Sequence, residues 1–118
     1  MSIRTERIAD QIRAELSELL LRDVRDPRVA LASVSGVAVS SDLSYANIQI
    51  SVLGSDEQRQ QAMRGLESAR GYLRRELAHR LSLRITPELR FFLDRGAEHS
   101  QRISELLDDL RSGQDHDS

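Results

Sequence analysis

Residues 46 to 52 read Ala-Asn-Ile-Gln-Ile-Ser-Val, apolar and polar by strict turns. A chain alternates in this way where it is extended and half buried, because successive side chains of a strand point to opposite faces. Such a strand cannot stand alone. Its apolar face needs a cover and its backbone needs a neighbour. The neighbour lies just upstream, where Ser33 to Ser40 carries Val34, Val37 and Val39. Its apolar phase slips between Val34 and Val37, with Gly36 at the slip, which predicts a bulge or bend. Ser41-Asp42-Leu43-Ser44 supplies a turn, so the two runs form an antiparallel hairpin. After a boundary at Thr86-Pro87, Leu89, Phe91 and Leu93 alternate with Arg90 and Phe92 and give a third strand.

The cover comes from segments with helical period. From Arg4 to Val24, Ile8, Ile12, Leu16 and Leu19 fall on one face, with Leu20 at its edge. Asp26-Pro27 ends this helix, since proline disfavours helical backbone in the residue before it. Ser55 and Gln58 have the spacing of a capping box, and Asp56 and Glu57 suit the positive end of a helix dipole. Ala62, Leu66, Ala69, Leu73 and Leu77 then form a buried stripe. Gly71 interrupts this run and predicts two helices meeting at a kink around Ala69 and Gly71, or one bent helix. A short helix is expected over about 98–111, with Ile103, Leu106, Leu107 and Leu110, and residues 112–118 form a polar, disordered tail. The expected architecture is α+β in two layers. A three-stranded sheet is covered on one face by helices, within a single domain over 1–111.

Several function classes are excluded by residue type. The chain has no cysteine, so disulfides, zinc fingers and thiol catalysis are absent. All seventeen basic residues are arginine, which removes every mechanism that needs a catalytic or P-loop lysine. His79, His99 and His116 are scattered without metal-ligand spacing, and Asp108-Asp109 reads as a solvated pair. No local motif asks for a catalytic residue, a metal or a cofactor. The N-terminus is charged from Arg4 onward and no apolar run approaches membrane-spanning length, so a soluble cytoplasmic protein, without membrane partners and monomeric, is expected. The scarcity of aromatics, two Phe and two Tyr, argues against a broad platform for stacking bases.

Charge is distributed unevenly. From Arg59 to Arg84 the chain holds seven arginines and only two acids, Glu67 and Glu76, although its net charge is −2. A polyanion responds to the field of such a patch and not to the net charge of the chain. A guanidinium fork can also grip phosphate with two hydrogen bonds. Arg64, Arg70, Arg74, Arg75, Arg80 and Arg84 are therefore candidate phosphate ligands, with further contacts from Arg4 and Arg7 on the first helix and from Arg28. Bare backbone at Gly71 would let a nucleic-acid strand come close. The plain alternatives are a solvated charged face and a helix crossing too tight for larger side chains.

Seven segments in order then carry a resemblance. They are Arg4-x-x-Arg7-Ile8-Ala9, Asp26-Pro27-Arg28, Ser35-Gly36-Val37, Ser41-Asp42-Leu43-Ser44-Tyr45-Ala46, Ala69-Arg70-Gly71, Leu83-Arg84-Ile85-x-Pro87-Glu88-Leu89-x-Phe91, and Asp94 followed by Arg102-Ile103-x-x-Leu106-Leu107. In this order and spacing the chain resembles the ribosome-binding factor A family from about Arg4 to Leu107. The resemblance implies a type-II KH-like fold of order α-β-β-α-(kink)-α-β, in which an Ala-x-Gly kink replaces the usual Gly-x-x-Gly loop. It implies a non-enzymatic assembly factor that binds the small (30S) ribosomal subunit and its 16S ribosomal RNA, aids late maturation and 5′-end processing, and matters for growth in the cold. It implies no catalytic residue, cofactor or small-molecule substrate. A general single-stranded RNA-binding KH module is the competing reading. Two features depart from the family pattern: lysine is missing, and Gly96 and Ser100 stand where many members have serine and then glycine.

Overall fold

The computed structural model describes residues 3–94. Helix α1 spans Ile3–Arg22 and is followed by a 3-10 turn at Pro27–Val29. Strands β1 (Ala32–Val39) and β2 (Tyr45–Val52) come next, then the long helix α2 (Asp56–Leu81) and strand β3 (Glu88–Leu93). The strands lie in the order β1-β2-β3. β1 runs antiparallel to β2, whereas β3 runs parallel to it, as strands joined by a crossover helix do. This is the mixed, KH-like arrangement that the resemblance implies. The short helix expected over 98–111 and the tail at 112–118 lie outside the described residues.

The alternation at residues 46–52 is realised in full. Ala46, Ile48, Ile50 and Val52 are buried under the helices. Tyr45, Asn47, Gln49 and Ser51 take the other phase of the strand. The bulge forms where the apolar phase slips, with the register shifting between Val34 and Gly36 so that Ser35 is the extra residue. Without that insertion Val37 and Val39 would point away from the core. With it they stand opposite Ile48 and Ala46. Ser35 is tied down in turn, its hydroxyl donating to the Asp94 carboxylate at 2.7 Å with the Gln49 carbonyl 3.2 Å away.

The hairpin turn is held by side chains. Asp42 accepts from the Ser40 hydroxyl at 2.8 Å and from the Ser44 N–H at 3.0 Å. These bonds, the backbone N–H of Ser44 first, hold its carboxyl below the usual aspartate pKa. Leu43 takes a left-handed φ of 63°. The turn fixes the phase in which Tyr45 enters β2.

Helix α1 lays Ile12, Leu16 and Leu19 over the sheet, and α2 adds Leu66, Leu73 and Leu77; all six are at most 1% exposed. Burying each such side chain contributes about 1.5–3 kcal/mol before entropy is subtracted. α2 begins with the expected capping box, in which Ser55 accepts from the Gln58 N–H and Gln58 accepts from the Ser55 N–H. It ends at Ser82, which is left-handed at φ 49°.

Two boundary expectations change. α1 stops at Arg22, short of Asp26-Pro27, with the N–H groups of Asp23 and Val24 both donating to the Leu19 carbonyl. Asp26-Pro27 instead opens the 3-10 turn. Asp26 caps it by accepting from the Arg28 N–H at 2.9 Å, and Pro27 sits where no N–H is needed. The second change concerns Ala69 and Gly71. α2 is a single α-helix across them, so the expected division into two helices does not occur. Gly71 lies on the exposed side of the helix, and among the described residues the side chain nearest to where its Cβ would stand is the Arg75 guanidinium, at 3.6 Å. The close approach expected of a small residue occurs six residues earlier. A Cβ on Gly65 would stand 2.8 Å from Val29 Cγ1 and 3.3 Å from Arg28 Cβ. The 3-10 turn is seated against α2 through this missing side chain.

Candidate nucleic-acid interface

The arginines of α2 divide according to the side of the helix from which they leave. At 100° per residue, Arg64, Ser68, Gly71 and Arg75 fall within about 60° of each other, opposite Leu66, Leu73 and Leu77. They form a ridge pointing away from the core, with an arginine at either end and two small residues between. All four are exposed. The Ser68 hydroxyl turns back to the Arg64 carbonyl at 3.1 Å, which keeps the centre of the ridge low. Neither Arg64 nor Arg75 has a hydrogen-bond or ion-pair partner among the described residues, and the same holds for Arg84 in the connection to β3. Exposed guanidinium groups with no counter-charge of their own are available to neutralise the phosphates of a polyanion and release its counterions.

Three of the predicted ligands have other employment. Arg74 leaves from the β3 flank and donates to the Thr86 carbonyl at 2.8 Å and the Pro87 carbonyl at 3.3 Å, with the Glu88 carboxylate 3.7 Å away. It secures the backbone that leads into β3. Arg80 leaves from the opposite flank into an acidic cage, 3.2 Å from Glu15, 3.3 Å from Asp23 and 4.0 Å from Glu76. The Glu15 bond raises its pKa further, so it stays charged and engaged. Tyr72 Oη lies 3.5 Å from the same Asp23 carboxylate oxygen. Burial, followed by the charges of Asp23 and Glu76, raises the phenol above its ordinary pKa. Arg28 is the third, held by Asp26 through both carboxylate oxygens at 2.6–3.0 Å. That pairing, with the side-chain bond first, lowers the Asp26 pKa and raises that of Arg28. Arg70 is intermediate, in an exposed pair with Glu67 at 3.6 Å, which is the weak kind of surface ion pair.

Arg4 and Arg7 are exposed on the first turns of α1. Thr5, Ala9 and Asp10 at the start of α1 line a cleft with Val37, Ala38 and Val39, and Val39, Ala46 and Leu89 are aligned across the sheet where β3 begins after α2. The start of α1 therefore lies towards the end of the domain where α2 finishes and Arg84 follows. Spacing along one helix reveals the Arg64–Arg75 ridge. Spacing does not reveal the acids that enclose Arg80, because Glu15 comes from α1 and Asp23 from the turn that follows it. Nor does it reveal Gly65 as the site of closest approach, since Val29 reaches it from the 3-10 turn. Among the described residues no group of three or more His, Asp or Glu is placed to hold a metal ion, and no helix is long and apolar enough to cross a membrane.

The opposite face of the sheet carries features that reading for apolar periodicity passes over. Tyr45 and Phe92 occupy its polar phase and are 41% and 44% exposed. The Arg90 guanidinium lies 3.8 Å above the centre of the Tyr45 ring, and its Nε donates to Asn47 at 3.1 Å. The alternation itself holds the signal, because Tyr45 and Phe92 are the out-of-phase aromatics of β2 and β3.

Comparison with known proteins adds a further finding. The sequence matches the family described as Ribosome-binding factor A over residues 4–107. It is 44% identical over 112 residues to the ribosome-binding factor A of Desulforamulus reducens, covering 95% of this chain and 93% of the relative. The fold is similar to the crystal structure of ribosome-binding factor A from Thermus thermophilus, with a TM-score of 0.67 and 28% identity over 75% of this chain and 94% of the other. A second match is the Thermus thermophilus ribosome binding factor A homology model fitted into the cryo-EM map of a 30S complex. Its TM-score is 0.62 at 30% identity, covering 73% of this chain and 90% of that one.

Proposed function

The chain belongs to the ribosome-binding factor A family, and we propose that it binds the free small ribosomal subunit through the outward ridge of α2. Arg64 and Arg75 grip backbone phosphates of the 16S ribosomal RNA, and the low centre at Ser68 and Gly71 lets the strand lie close to the helix. Arg84, Arg4 and Arg7 extend the contact towards the end of the domain. Arg70 joins by exchanging Glu67 for phosphate. Arg28, Arg74 and Arg80 serve indirectly, by holding the elements that carry the ridge. The observation behind this reading is the set of exposed guanidinium groups without partners among the described residues, on a chain whose relatives are named for ribosome binding. Phosphate contacts position a protein on RNA, and the folded shape of the RNA supplies most of the discrimination.

The same reading includes a role in late small-subunit maturation and 5′-end processing of its RNA, with the largest need in the cold. The protein acts there as a cytoplasmic, monomeric, non-catalytic factor that occupies an RNA surface. Its domain extends through the helix expected at 98–111. Sedimentation with free small subunits, whole ribosomes and short unstructured oligoribonucleotides at rising salt tests the core of this reading. The expected result is recovery with free subunits in preference to whole ribosomes, lost as salt rises. Equal recovery with both ribosomal fractions would refute subunit preference. Oligonucleotide binding as tight as subunit binding would make the protein a general RNA-binding module.

A further inference from the structure

The open face of the sheet lies on the far side of the molecule from the α2 ridge, because both helices cover the other face. Its composition is unusual for this chain. Of the four aromatic residues, two stand on this face about two-fifths exposed, while Phe91, in the opposite phase of β3, is buried on the core side. Both rings keep a large exposed area, Tyr45 even with the Arg90 guanidinium stacked on it. Ser33, Gly36 and Ala38 on β1 share the face and leave it low on that side; among the described residues the atoms nearest to where a Cβ on Gly36 would stand are those of Gln49, at 3.9 Å.

Arg90 is the organising residue. Asn47 and Arg90 are register partners on β2 and β3, and the Nε–Asn47 bond orients the guanidinium over the Tyr45 ring. A guanidinium stacked on an aromatic ring keeps one planar face free. Its Nη donors have no partner among the described residues. A planar cation with free in-plane donors accepts a nucleobase on its face and a phosphate at its edge. Phe92 stands opposite Gln49, two strand repeats from Tyr45 and so roughly 14 Å along the sheet. It offers a second stacking surface with an amide beside it. Two acids border this face, Glu88, which is drawn to Arg74 at 3.7 Å, and Asp94, which accepts from the Ser35 hydroxyl at 2.7 Å; each opposes an incoming anion less than a free carboxylate would.

We propose that this face is a second RNA-contacting surface, on which Arg90 over Tyr45 and the ring of Phe92 stack unpaired bases of a single-stranded segment. The proposal rests on the ribosomal reading above and deepens it. Such a protein touches RNA on two opposite sides, holding a folded element against α2 and an unpaired one against the sheet.

Two experiments on the full chain test the proposal separately from that reading. In the first, an unstructured oligoribonucleotide is titrated into the protein alone and followed by NMR. Shifts at Tyr45, Asn47, Arg90 and Phe92 are expected, and Arg90→Ala and Phe92→Ala should each weaken binding by about tenfold. Thermal melting confirms that both variants stay folded. Shifts confined to α2, or none, would overturn the second surface and leave the subunit reading standing. In the second, p-benzoylphenylalanine is placed at position 92 or, as a control on the ridge, at position 68, and each protein is irradiated in complex with small subunits. Crosslinks from both positions to ribosomal RNA support two RNA surfaces. A crosslink from position 92 to a ribosomal protein, or no crosslink while position 68 labels RNA, overturns the proposal. Failure to sediment with subunits at all would count against the functional reading, whereas the oligonucleotide titration still decides the sheet face.

Discussion

Two glycines six residues apart on one helix have opposite relations to the fold. Gly65 is buried, and a methyl group there would collide with Val29. Gly71 is exposed, and a methyl group there would meet little. The arginines around them divide in the same way. Arg74 and Arg80, on the flanks, are bonded to carbonyls and carboxylates of other elements. Arg64 and Arg75, on the outward ridge, have no such partners among the described residues. The flanks of α2 build the domain, then, and the ridge takes no part in it among the described residues. Similar residues at similar spacing serve opposite ends because the helix rotates them to different neighbours.

The sharpest way to break this comparison is at the buried glycine. Gly65→Ala should destabilise the protein by about 1–3 kcal/mol, since the added Cβ would stand 2.8 Å from the buried Val29 and the 3-10 turn must shift to admit it. The gain in helix propensity offsets part of that cost, so the lower half of the range is expected in denaturant titration. Unchanged stability would mean that the 3-10 turn yields easily. Arg74→Ala comes next. It removes two donors from the Thr86 and Pro87 carbonyls, and a loss of about 1 kcal/mol is expected after discounting for partial exposure. Arg74→Lys should recover little, because one ammonium cannot reproduce the fork that reaches both carbonyls. The smallest effect belongs to Gly71→Ala, which should stabilise the fold by up to about 1 kcal/mol, as alanine does in an exposed helix interior. Its effect on RNA should have the opposite sign. A methyl group on the ridge pushes the strand outwards, so subunit binding should weaken modestly while the melting temperature rises. If binding and stability rise together, close approach at Gly71 plays no part.

Most of the fold was legible in the sequence because it is written locally. The alternation of Ala46 to Val52, the slipped phase at Gly36 and the Ser55–Gln58 capping box each rest on residues a few positions apart. The β1–β2 bulge could be predicted from two misplaced valines. The site was legible only in outline. A basic segment announces itself, but the partners of its arginines come from distant positions, as Glu15 and Asp23 do for Arg80. Ala69-Arg70-Gly71 suggested a broken helix because glycine is a poor helix former. A single glycine costs about 1 kcal/mol, and the buried stripe of Leu66, Leu73 and Leu77 supplies several times that. Packing therefore carries the helix through Gly71. The aromatic residues of the open face escaped notice through their small number, whereas their placement is what distinguishes them.

The most direct measurement is the salt dependence of small-subunit binding by the Arg64→Ala/Arg75→Ala double variant, with its stability measured in parallel. Exposed side chains without internal partners contribute little to folding, so stability should stay within about 0.5 kcal/mol of the parent. Each lost phosphate contact should reduce the slope of log affinity against log salt by roughly 0.7–0.9, and so by about 1.4–1.8 for the pair. A folded double variant with the parental affinity and the parental slope would contradict the assignment of the α2 ridge to RNA.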